Sequence, residues 1–103
     1  MLNLNLNLRP QTAKRFRKVL EAARDQEAFA ENIIAYQVAE LKRAIINLRV
    51  DIKAFEDEYK MTSDAFYRQY QQGKTDDRQD YMTWAGLYEL LDKNGKELRE
   101  LEG

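Results

Sequence analysis

The sequence predicts a mainly α protein with one N-terminal β-strand and a C-terminal helical hairpin. Three observations carry this. Residues 1–8 read "MLNLNLNL", a strict alternation of leucine and asparagine. After Pro10 the apolar residues recur every three or four positions. The breaks in that pattern are few and sharp, at Arg24-Asp25-Gln26, at Met61-Thr62-Ser63-Asp64 and at "GKTDDRQD".

Alternation of period two puts Leu2, Leu4, Leu6 and Leu8 on one face of a strand and Asn3, Asn5 and Asn7 on the other. A strand must pair, because its backbone N–H and C=O groups otherwise lack partners, and nothing else in the sequence offers a second strand. The simplest partner is the same strand of another copy, related by a two-fold axis. The expectation is therefore a homodimer joined by an intermolecular two-stranded ribbon, with Leu2, Leu4, Leu6 and Leu8 as its dimerisation residues.

Pro10 fits the first turn of a helix, where its missing N–H costs nothing, and Ala13, Phe16, Leu20 and Ala23 share one face of a helix over 10–24. A longer helix follows, uninterrupted by glycine or proline before Thr62. Its apolar positions Ile34, Val38, Leu41, Ile45, Leu48, Ile52, Phe55 and Tyr59 form a heptad seam, with β-branched residues at a and leucine at d in its centre. Two partners suit the seam equally: the same helix of another chain as a coiled coil, or this chain's own C-terminal helices. Thr62 suits the cap of a third helix over 63–72, Met61 can staple to Phe66, and Gly73 suits its stop. Tyr81, Trp84, Tyr88, Leu91, Leu98 and Leu101 mark a last helix, which Asn94-Gly95 either ends early or notches.

Composition narrows the function. The 103 residues contain no cysteine and no histidine, which removes thiolate nucleophiles, disulfides, the usual transition-metal ligands and the side chain best suited to proton transfer near neutral pH. The sequence thus predicts no enzyme, no cofactor and no metal. Asp76, Asp77 and Asp80 fit no Ca²⁺ loop and read as helix-start carboxylates. No apolar run approaches membrane-spanning length and the N-terminus lacks the basic and apolar blocks of a leader, so a cytoplasmic protein with no membrane partner is expected. The net charge of −1 hides an asymmetry: up to residue 24 six basic residues face Glu21 alone, and the remainder is acidic. A cationic head on an acidic body is one pattern of a nucleic-acid-binding protein.

The strand, the helix from Pro10, the short turn and the helix bearing "EAFAENIIAYQVAEL" resemble the ribbon-helix-helix fold of small dimeric bacterial and archaeal DNA-binding proteins, over roughly residues 2–45. The resemblance implies that Asn3, Asn5 and Asn7 enter the major groove, where an asparagine amide matches the N7/N6 edge of adenine. It also implies that Arg9, Lys14 and Arg17, with Arg15 and Lys18, position the protein on phosphate. The sequence departs from the family twice. Its strand has no basic residue between Asn3 and Asn7, and Asp25, Glu27 and Glu31 place negative charge at the start of the second helix, where family members clamp a phosphate. The other reading of the asparagines is a solvated face.

Residues 1–50 are then the dimerisation and DNA-binding head, and 51–103 a helical extension for partner binding. Eight of the 11 aromatic residues lie in that extension. Tyrosine and tryptophan combine apolar area with a polar tip, which makes Tyr67, Tyr70, Trp84 and Tyr88 candidate partner anchors. The spacing of Tyr81, Trp84 and Tyr88 equally suits a face turned to the long helix. A ribbon-helix-helix head with an acidic helical tail resembles antitoxins of type II toxin–antitoxin pairs. This implies a repressor that binds operator DNA through its head and neutralises a cognate toxin, expected to be a basic nuclease, through its tail. The alternative is a helical dimerisation or adaptor protein without DNA binding.

Overall fold

A computed structural model describes residues 2–103, and Pro10 opens its first helix. The helices are α1 (Pro10–Ala22), α2 (Gln26–Tyr59), α3 (Ser63–Gln71) and α4 (Gln79–Glu102). Among the described residues there is no β-strand. This overturns the predicted strand, and with it the ribbon-helix-helix architecture built on an intermolecular two-stranded ribbon. The physical reason lies in what the alternation leaves out. It sorts side chains onto two faces but supplies no acceptor for the strand's own N–H groups, and among the described residues no other segment is a strand that could pair with residues 2–9. Leu2, Leu4, Leu6 and Leu8 accordingly lie in solvent, from 82% exposed at Leu2 to 40% at Leu8.

The helix boundaries follow local chemistry. α1 starts with Pro10 in its first turn and has no side-chain cap at Arg9. It ends where Ala23 turns extended while its N–H still reaches the Val19 and Leu20 carbonyls, both at 3.2 Å. Asp25 opens α2, its Oδ1 accepting the N–H groups of Glu27 at 3.0 Å and Ala28 at 3.3 Å. The 34 residues of α2 run on without interruption until Lys60, which takes a positive φ of 53°. Thr62 caps α3 by accepting the Ala65 N–H at 3.2 Å. Gly73, at φ 71°, supplies the left-handed residue that lets the Lys74 N–H return to the Gln69 carbonyl at 2.9 Å. Asn94-Gly95 does not stop α4, which continues to Glu102.

The chain divides into two compact units, Met1–Ile33 and Ile34–Gly103. Within the first, α1 and the start of α2 meet through an edge-on pair of rings, Phe16 and Phe29, 6.4 Å apart. No described residue of this unit is buried. The second unit has a core of its own. Ile52, Phe66, Trp84 and Ala85 are buried together, ringed by Phe55, Tyr59, Met61, Tyr67, Tyr70, Tyr81, Leu87 and Leu91. The Phe66 ring stacks on Trp84 at 3.9 Å, nearly parallel, and Phe55 stacks on it at 5.8 Å.

Two polar contacts fix α2 and α4 as antiparallel neighbours. The Tyr59 hydroxyl donates to Asp80 at 2.6 Å at one end, and Lys42 pairs with Glu102 at 3.4 Å at the other. The centre of the heptad seam, Leu41, Ile45, Leu48 and Ile52, is buried within this single chain. Of the two partners the seam could take, it takes the chain's own C-terminal helices.

Candidate functional site

In the N-terminal unit the candidate surface is cationic. On α1, Gln11, Lys14, Arg15 and Lys18 fall at helical spacing on one face and line a shallow hollow, while Ala13 and Phe16 turn the opposite way and are half-buried. Arg9 and Arg17 are also exposed. Lysine and arginine so spaced can follow a line of phosphates. Asn3, Asn5 and Asn7 are exposed in a segment that forms neither helix nor strand, so no paired strand presents them. The α2 N-terminus, where the resemblance implies a phosphate clamp, is already supplied with an anion. The Asp25 carboxylate accepts the amides that a phosphate would need.

The apolar side chains of this unit are more telling than its charges. Besides the four leucines, Val19, Leu20 and Ile33 are exposed, and just beyond the unit so are Ile34 and Tyr36. Exposed aliphatic side chains of this kind leave apolar area in water that a partner could cover.

In the second unit the four aromatic candidates take two different positions. Trp84 is wholly enclosed, with 0% exposure, and its indole N–H donates to the Ser63 hydroxyl at 2.8 Å. That hydroxyl in turn donates to Glu56 at 2.9 Å, and the same carboxylate oxygen accepts the Ser63 N–H at 2.8 Å. The relay ties α4 to α3 and α3 to α2, and leaves no buried polar side-chain atom among the described residues unpaired. Tyr67, Tyr70 and Tyr88 are half-buried, and the Tyr67 ring centroid lies 6.3 Å from that of Tyr70 and 4.9 Å from that of Tyr88. The Tyr67 hydroxyl donates to Glu89 at 2.7 Å, and that bond raises its pKa above the ordinary phenol value. The Tyr88 hydroxyl donates to Asp64, and this bond, with burial second, pushes the phenol up to about 12. Both rings are pinned by carboxylates with their outer edges accessible.

Tyr88 also borders a feature that the heptad reading passes over. A trough of about 690 Å³ runs between α2 and the α3–α4 pair, and its α2 wall includes Ile46, Arg49, Val50 and Lys53. Ile46 is 61% exposed and Val50 65%. Two aliphatic residues one helical turn apart, outside the a and d positions, were the available signal, because that face of a lone helical hairpin should be polar. The Asp76–Arg78 pair, bidentate at 2.9 and 2.7 Å, lies in the α3–α4 loop; the guanidinium stays charged and stacks over Tyr81 at 4.6 Å. No cluster of three or more acidic residues able to hold a metal occurs among the described residues, and no described helix is long and apolar enough to cross a membrane.

The chain matches no protein-family model, and comparison with characterised proteins and with solved structures finds no match.

Proposed function

We propose that this chain is a two-part interaction protein of the antitoxin type, in which the N-terminal unit self-associates and contacts duplex DNA and the C-terminal unit binds and silences a toxin. The observation that carries the reading is the opposite make-up of the two units. One has exposed aliphatic residues, no buried residue among those described and an excess of basic side chains; the other has its own aromatic core and an excess of acidic ones. A unit with no fully buried residue among those described gains most from a second copy, which would cover Leu2, Leu4, Leu6, Leu8, Val19 and Leu20 and double the cationic surface of α1. A unit with a finished core can present a rigid surface.

DNA contact in this reading runs through Arg9, Lys14, Arg15, Arg17 and Lys18, whose chemistry suits phosphate rather than base edges. The acidic C-terminal unit suits a basic partner such as a nuclease, through long-range attraction. In this reading the chain acts in the cytoplasm.

Co-expression tests the pairing. The product of the gene next to this one should arrest growth alone and be tolerated with the full-length chain. Residues 34–103, which hold the whole buried core, should also protect, and residues 1–33 should not. Protection by neither the full chain nor residues 34–103 would refute the antitoxin reading. The adaptor reading separates from it on DNA: an adaptor binds no duplex at low salt, whereas the proposed head binds with affinity that falls steeply as salt rises.

A further inference from the structure

The trough on the C-terminal unit has a chemistry opposite to that of the unit that carries it. A second, smaller hollow, lined by Lys42, Ile45, Ile46, Arg49, Gly95, Leu98 and Arg99, shares Ile46 and Arg49 with the first, so the two run on as one groove between α2 and α4. Its acidic residues are already engaged: Glu56 accepts both hydrogen bonds that Ser63 donates, and Asp64 accepts the Tyr88 hydroxyl. Two of its cations are also paired, Lys53 with Asp57 and Lys42 with Glu102. Arg49 and Arg99 are not: neither has a carboxylate within ion-pair distance among the described residues. The groove therefore offers an apolar strip, Ile46 and Val50, beside two uncommitted guanidinium groups.

The walls set the shape of the occupant. The α2 wall extends from Lys42 to Glu56, about 21 Å at the helical rise, which corresponds to about four turns of an incoming helix. A helix lying along α2 and α4 would add a third rod to the pair, with apolar side chains at three- and four-residue spacing against Ile46, Val50 and Leu91. Its flanks would meet Arg49 and Arg99, which recognise carboxylates through paired donors. We propose that this groove docks an amphipathic helix of a protein partner whose polar flank carries carboxylates. The proposal rests on the reading of residues 34–103 as the partner-binding unit and names the contact surface within it. The net acidity of the unit steers a basic partner as a whole, and the groove selects the segment that lands.

The test uses the full chain and two synthetic helical peptides of about four turns each. Both have leucines on one face, with glutamates flanking that face in one peptide and lysines in the other. The glutamate peptide should shift the methyl resonances of Ile46 and Val50 and bind at least about tenfold tighter than the lysine peptide. Arg49→Glu with Arg99→Glu, both exposed positions, should reverse that order. Ile46→Asp with Val50→Asp should abolish binding of both peptides with the circular dichroism spectrum unchanged. Equal affinity for the two peptides, unmoved Ile46 and Val50 methyls, or an order unchanged by the double arginine reversal would each overturn the proposal. Failure here is separable from failure of the antitoxin reading. If the Ile46→Asp, Val50→Asp chain still binds and silences the neighbouring product at wild-type strength, the function stands and the groove is not its docking surface.

Discussion

Trp84 shows how one side chain organises the second unit. It stacks on both Phe66 and Phe55 and donates its only polar hydrogen to Ser63, so the ring contributes area and its N–H contributes direction. Trp84→Ala should cost about 3–5 kcal/mol in chemical denaturation, the range for emptying an aromatic core site. Ser63→Ala should cost about 1–3 kcal/mol, since it leaves the buried indole N–H unpaired. Tyr88 gives a pH test. Its folded pKa of about 12 lies above the ordinary 10.0, so its stabilising contribution is complete below pH 10 and is lost as pH rises towards 12. Ultraviolet titration should show a phenol ionising near pH 12 that returns towards the ordinary range in Asp64→Asn. A profile identical in the two proteins would remove the assigned cause. The sequence groups Tyr67, Tyr70, Trp84 and Tyr88 by the apolar ring and polar tip they share, while the spacing of Tyr81, Trp84 and Tyr88 equally suits a covered face. Spacing gives the face of a helix but not the depth at which a neighbour covers it, so enclosed Trp84 and half-buried Tyr88 read alike.

Helices are legible in this sequence to the extent that their ends carry local signals. Pro10, Thr62 and Gly73 act through their own backbone chemistry, and each sits at the boundary it predicts. The inward seam of α2 is equally legible, since three-and-four spacing needs only one covering surface; which surface covers it is not. The opening alternation misleads for the converse reason. A helix satisfies its backbone internally, whereas a strand depends on a neighbour that the alternation does not encode. Asp25 has a role that its charge alone does not disclose. In sequence it is a carboxylate that repels phosphate; in the fold it is the cap that occupies the amides of α2. The division into units makes an element-scale prediction. Residues 34–103 expressed alone should melt cooperatively at the temperature of the full chain, because every buried residue among those described lies within them. Residues 1–33 alone should show little helix, being two short helical segments joined by one ring pair. A stable fold of 1–33 in isolation, or unfolding of 34–103, would show that the units depend on each other.

At the scale of the whole molecule, charge and apolar surface are distributed unevenly, and the functional reading draws on both. Net positive charge is concentrated up to residue 24 and the aromatic core lies after residue 50, so the functional reading assigns DNA contact and partner binding to different stretches of one chain. For DNA this predicts an interface dominated by phosphate. Lys14→Ala with Arg17→Ala should weaken binding to all duplexes alike and flatten the salt dependence by about one unit of slope for each phosphate no longer neutralised. Weakening confined to one preferred sequence would point to base reading instead. Partner silencing is assigned wholly to the unit with its own core, and calorimetric titration of the neighbouring gene's product into full-length chain and into residues 34–103 puts that assignment to the test. Equal affinity for the two is expected, with duplex binding retained only by the full chain. Binding by the full chain and none by a folded 34–103 fragment would contradict it.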